Sequence, residues 1–158
     1  MSQATLTAEQ ALPSNPELQQ ATIKALSARV KEADVRAFLE KAAVSVPAPI
    51  GATLSVNLAI WGKVVITPDG QPWKFDNTVW GGPAYFGSGA GFLYTAYDSW
   101  DAFFPSCTAF HVQGVDVGGG VLQVNFFNGD GVPVGQLNAA AGGVGLVEGG
   151  GSGGWTRT

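Results

Sequence analysis

Apolar positions follow two different periods along this 158-residue chain, and the change falls near residue 50. Before it, Leu18, Ala21, Ala25, Leu26 and Val30 recur at helical spacing. Val35, Phe38, Leu39, Ala42 and Ala43 continue the stripe on a second segment, with Asp34 as the break or cap. Asn15-Pro16-Glu17 supplies a helix start, with an Asn cap, Pro at the first helical position and an acid in the first turn. Val46-Pro47-Ala48-Pro49 ends this part as a stiff, extended linker, because each proline fixes its own backbone and biases its predecessor away from helix.

Beyond the linker the period falls to two. Residues 53–67, TLSVNLAIWGKVVIT, alternate, which puts Leu54, Val56, Leu58 and Ile60 on one face of a strand. Asp69-Gly70 supplies a turn, and residues 68–82 are read as a turn region. Strand-like runs follow at residues 91–97, 108–117, 121–128, 132–139 and 142–148. Asn128-Gly129-Asp130-Gly131 joins two of them as a hairpin, since Asn, Asp and Gly tolerate positive φ. DSWDAFF, residues 98–104, predicts a helical turn closed by Pro105. Short strands with frequent turns and no helices between them predict an all-β sandwich or barrel. The expected organisation is a helical N-terminal segment, residues 1–46, followed by a β-barrel domain, residues 47–158.

Composition sharpens this. All 23 glycines lie at or after Gly51. The formal charge is −4, and from Asn77 onward five acids face a single base, so nucleic acid and unaided binding to anionic lipid are disfavoured. Membrane contact by this chain would have to be hydrophobic or be favoured at low pH. No run reaches the roughly 18 apolar residues of a spanning helix. The first residues lack the pattern of a secretory signal. An exported protein with this sequence is expected to use a route without one, or to be read here as its mature form. The location itself is left open.

Catalytic and metal chemistry finds little support. Cys107 is the only cysteine and His111 the only histidine, and their spacing along a strand separates them by about 13 Å, too far to ligate one ion. Cys107 is expected to be an inert buried thiol. A phosphate loop at GGVGLVEGGGSGGW, residues 142–155, fails because Glu148 stands where a third glycine belongs and no lysine is present. Asn128 and Asp130 are better used in a turn than around calcium, and although Asp98 and Asp101 at i, i+3 could do acid–base work, helix capping by Asp98 is the simpler role. No catalytic residue, metal or cofactor is assigned. The aromatic residues stand out instead: Trp61, Trp73, Trp80 and Trp100, together with His111, are the candidate ligand- or partner-binding residues. In a barrel such aromatic residues either fill the inside or form a contact surface.

Tyr85-Phe86-Gly87, Leu93-Tyr94-Thr95, residues 124–141 and the ending GGGSGGW, residues 149–155, together resemble the virulence-associated proteins (Vap) of rhodococci over roughly residues 50–158. The resemblance implies a compact, closed antiparallel β-barrel of about eight strands with little internal cavity. It carries over no catalytic residue. It associates the chain with bacterial survival inside phagocytes, and for some members of the family with action on membranes. On this reading the glycine-rich end is the last hairpin of the barrel, with Val144, Leu146 and Glu148 alternating and Trp155 anchoring the return.

The expected function is a non-enzymatic, Vap-like virulence or host-interaction effector acting through its barrel surface, with a host protein or a membrane surface as partner. Two alternatives stand beside it. One is a barrel carrier or enzyme for an apolar small molecule, with residues 16–44 as a lid. The other is an oligomerisation or secretion-docking module whose helices drive self-association.

Overall fold

The structure is a computed structural model and describes residues 12–44, 47–116, 120–142 and 147–158. Two helices come first, α1 (Pro16–Leu26) and α2 (Glu32–Ala43). The Asn15 side chain accepts from the Glu17 and Leu18 amides at 3.1 and 3.4 Å, as a cap should. Lys31, not Asp34, occupies the N-cap of α2; Asp34 lies in its first turn, where an acid meets the positive end of the helix dipole.

The sheet begins with two long strands, β1 (Ile50–Pro68) and β2 (Trp73–Thr95), joined by a short turn at Asp69-Gly70. Residues 73–82 are therefore strand rather than turn. Phe75 and Val79 are buried while Lys74, Asp76 and Trp80 are exposed, so an alternation runs through this segment beneath its Asp, Asn and Gly content. The short helix α3 (Trp100–Ser106) follows and continues past Pro105, which lies within it. Then come β3 (Ala109–Asp116), β4 (Gly120–Phe127), β5 (Pro133–Ala140), β6 (Glu148–Ser152) and β7 (Trp155–Arg157).

These strands make one antiparallel sheet in the order β1-β2-β5-β4-β3-β6, and β6 pairs back onto β2, so the sheet closes as a ring. The long strands make closure possible. Straight, the 19 residues of β1 would span about 63 Å. Instead the Asp69 amide donates to the Gly51 carbonyl at 2.8 Å, so β1 folds back on itself about Ile60. β2 bends with it: Ala90–Thr95 pairs β5, while Trp80–Gly82 pairs β6 and Trp73–Phe75 pairs β7. Counted by arms, with β6 and β7 sharing one line, eight segments surround the core. The glycine-rich end is consequently not a hairpin. Glu148–Ser152 and Trp155–Arg157 lie one after the other along β2, and residues 143–146, part of the expected strand 142–148, fall outside the described residues.

The interior is filled by aromatic residues. The Phe75 ring meets Phe110, Phe126 and Trp155 at 5.0, 5.4 and 5.2 Å between centroids, all edge to face. Phe103 and Phe104, supplied by α3, join the same core. Cys107 lies at its border with Sγ 3.5 Å from the Phe103 carbonyl, and burial pushes its thiol up to about 12. At neutral pH burial therefore keeps the thiol in its neutral, unreactive form. Cys107 should react with iodoacetamide at least a hundredfold more slowly in the native protein than in denaturant, as followed by mass spectrometry. Comparable rates would contradict its placement.

Candidate aromatic contact site

The bend in β1 and β2 makes the most unusual surface of the molecule. Ile60 has φ +78°, a backbone conformation costly for a β-branched residue, and the register slips between Leu58 and Ile60. The slip turns Ile60 away from the face shared by Leu54, Val56 and Leu58, which corrects its expected place in the core. Glycine makes the bend tight enough: a Cβ on Gly62 would collide with the Asn57 carbonyl, and one on Gly81 with the Glu148 backbone.

Four large apolar side chains stand out on these bent strands: Ile60 is 77% exposed, Trp61 60%, Trp80 59% and Phe86 67%. Trp61 and Trp80 are register partners with ring centroids 6.5 Å apart, tilted by 43°. The Gly82-Pro83 peptide bond between them and Phe86 is cis. Along these two strands the sequence carries no charge from Ala42 to Gly62 or from Asn77 to Tyr97, while across the sheet the exposed Glu148 pairs with Gly82 and Lys63 stands two residues beyond Trp61. Soluble proteins seldom leave such a patch bare unless it meets a partner or a membrane.

The remaining candidates separate from this group. Trp73 stacks on Phe104 at 5.4 Å and carries the Arg157 guanidinium 4.8 Å above its ring. Trp100 donates its indole N–H to the Ala48 carbonyl at 3.0 Å and packs on Phe103. Both are partly buried against the interior core. His111 is buried on the outer side of β3, with Nε2 3.1 Å from Glu148 Oε1 and Nδ1 without a hydrogen-bond partner. Neither Cys107 nor any other nucleophile is among its hydrogen-bond partners. Among the described residues no group of three His, Cys, Asp or Glu side chains could hold a metal.

A second feature was missed in the sequence pattern. Gln123 and Asn125 of β4 face Asn138 and Gln136 of β5 in register, all four fully buried on the outside of the ring. Their amides form a closed cycle. Gln123 Nε2 donates to Asn138 Oδ1 at 3.0 Å, and Asn138 Nδ2 to Gln136 Oε1 at 2.8 Å. Gln136 Nε2 donates to Asn125 Oδ1 at 2.8 Å, and Asn125 Nδ2 to Gln123 Oε1 at 3.1 Å. The signal was present as Gln-x-Asn at residues 123–125 and again at 136–138, two polar pairs at period two within apolar strands. Thr22 of α1 lies over the cycle and accepts from Gln136 Nε2 at 3.0 Å.

A groove of about 710 Å³ opens between α2 and the β4–β5 turn, lined by Phe38, Tyr97 and Val132 among others. It lies outside the ring, and none of the candidate tryptophans lines it.

No protein-family model matches the chain, and no curated protein matches it. Two solved structures are similar. The virulence-associated protein VapD from the intracellular pathogen Rhodococcus equi superposes with a TM-score of 0.60 at 22% identity, covering 68% of this chain and 96% of its own. VapB from the same organism gives 0.56 at 22% identity, covering 70% and 97%. About a third of this chain thus has no counterpart in either, and the ring-closed antiparallel sheet has the fold of the virulence-associated proteins of Rhodococcus equi.

Proposed function

We propose that this protein is a non-enzymatic, Vap-like effector that acts through the surface of its ring, and that the working surface is the aromatic tip at Ile60, Trp61, Trp80 and Phe86. The partner is the interfacial zone of a membrane. The observation that carries this reading is an exposed group of two tryptophans, a phenylalanine and an isoleucine on the bent parts of β1 and β2. Trp favours the headgroup boundary of a bilayer, and the exposed charges beside the tip, Lys63 and Glu148, can stay in the hydrated headgroup layer while the apolar side chains enter. Anionic lipid is not required, which suits a chain of net charge −4. Among the described residues no helix is long and apolar enough to cross a membrane. The non-enzymatic part of the reading rests on a sole histidine held by Glu148 and a sole cysteine buried as a neutral thiol.

The test is flotation with neutral phosphatidylcholine vesicles. The wild-type chain should float with them at low and at high salt alike, because screening does not weaken an apolar contact. Removing the two indoles in Trp61→Ala/Trp80→Ala forfeits about 1.5–3 kcal/mol for each side chain that had been fully buried, so binding should fall at least tenfold. Equal flotation of the variant would overturn the tip as the contact. Failure of the wild type to float, with a co-purifying apolar molecule in native mass spectrometry, would favour a carrier that uses the groove beside α2.

A further inference from the structure

We infer that α1 and α2 are a removable cover, and that the outer face of β3, β4 and β5 beneath them is a second interaction surface that takes an amphipathic helix of a partner in their place. This inference is independent of the membrane reading, since none of the four tip residues belongs to the clusters beneath the helices.

Three observations carry it. The interior core is built wholly from Ile50 onward, so the ring closes and fills without any side chain of α1 or α2. VapD and VapB are matched over nearly their whole length by about two thirds of this chain, which is the share that residues 50–158 would fill. Finally, the seam between cover and ring is polar at its centre. The four-amide cycle satisfies one donor and one acceptor of each side chain within the ring itself, so it stands preformed whether or not the cover is in place. α1 adds three contacts there, Thr22 Oγ1 with Gln136 Nε2 and with Gln123 Oε1 at 3.1 Å, and Gln113 Nε2 with the Ala21 carbonyl at 3.1 Å, each of which water can replace.

Apolar contacts flank this seam. Leu18 packs with Val115 and Val121 on one side, while Leu26 packs in a cluster with Tyr94 and Phe127 on the other. Leu18, Thr22 and Leu26 are four residues apart, so one helix face presents apolar, hydroxyl and apolar groups in turn. That order defines the partner: an amphipathic helix with a Ser or Thr at the centre of its apolar stripe, bound in the helix-in-groove manner. The cover is the ring's own competitor for the site, tethered by Pro47-Ala48-Pro49 and pinned where Trp100 holds the Ala48 carbonyl. A partner's apparent affinity is lowered by the fraction of time the cover is shut.

The test uses the full chain and a fluorescent peptide with the sequence of residues 12–44, read by anisotropy. Wild type should bind it weakly. Leu18→Ala/Leu26→Ala, which loosens the cover and leaves the face intact, should bind at least tenfold more tightly. A peptide bearing the same two substitutions should lose that gain. Hydrogen exchange provides the second measurement. In the wild type, α1 and α2 should exchange together while β3–β5 stay protected, and in the variant the strands should remain protected. If the helices open only when the strands do, or if the variant with protected strands binds the peptide no better than wild type, the inference is wrong.

Discussion

Phe75→Ala should cost about 3–5 kcal/mol of unfolding free energy, measured by urea denaturation with tryptophan fluorescence. Phe75 is fully buried, and its ring makes edge-to-face contacts with Phe110, Phe126 and Trp155 from three other strands. Truncation would remove those contacts and leave a cavity that aromatic neighbours, each fixed by others, can collapse into only in part. The loss is a large part of the roughly 5–15 kcal/mol that holds a domain of this size together. A change below about 1 kcal/mol would mean that the ring interior is not packed as described.

The second large effect is expected at Gly91. In the β2–β5 pairing it faces Ala139, and a Cβ there would run into the Asn138 carbonyl and the Ala139 backbone. No flexible side chain is available to move aside. Gly91→Val should therefore cost about 3 kcal/mol or more, or prevent folding, and strand protection in hydrogen exchange should be lost first along β2 and β5. Gly129 is the control. It lies in the β4–β5 turn, where a Cβ would meet nothing within 4 Å, so Gly129→Ala should change little. Equal effects at the two positions would contradict the pairing.

The helices and most strands were legible because their signals are local. Asn15-Pro16 fixes a helix start by itself, and Asn128-Gly129-Asp130-Gly131 fixes the turn between β4 and β5, where the Asn128 side chain accepts from the Asp130 and Val132 amides. The hidden parts are those in which a distant segment decides the outcome. Ile60 belongs to an unbroken alternating run, and only the fold-back that brings Gly51 to Asp69 turns it outward. Residues 73–82 carry turn-forming residue types, yet pairing with β1 on one edge and with β6 and β7 on the other makes them strand. For the same reason the glycines at 149–151 form a strand, lying flat between β2 and β3 where side chains would not fit. Of the five candidate site residues, Trp61 and Trp80 come together in the exposed tip, whereas Trp73, Trp100 and His111 are tied to the ring by their own packing and hydrogen bonds. Composition gave all four tryptophans equal standing, because exposure depends on a bend that the sequence pattern does not display.

The most direct test of the aromatic tip is quenching of tryptophan fluorescence by phosphatidylcholine brominated near the headgroup end of its chains. Trp73, Trp100 and Trp155 are packed against the ring or within its core, so they should stay bright. Strong quenching is expected for the wild-type chain and almost none for Trp61→Phe/Trp80→Phe, a variant that keeps the tip apolar and bound. Equal quenching in both proteins, or none in either, would contradict insertion of the tip.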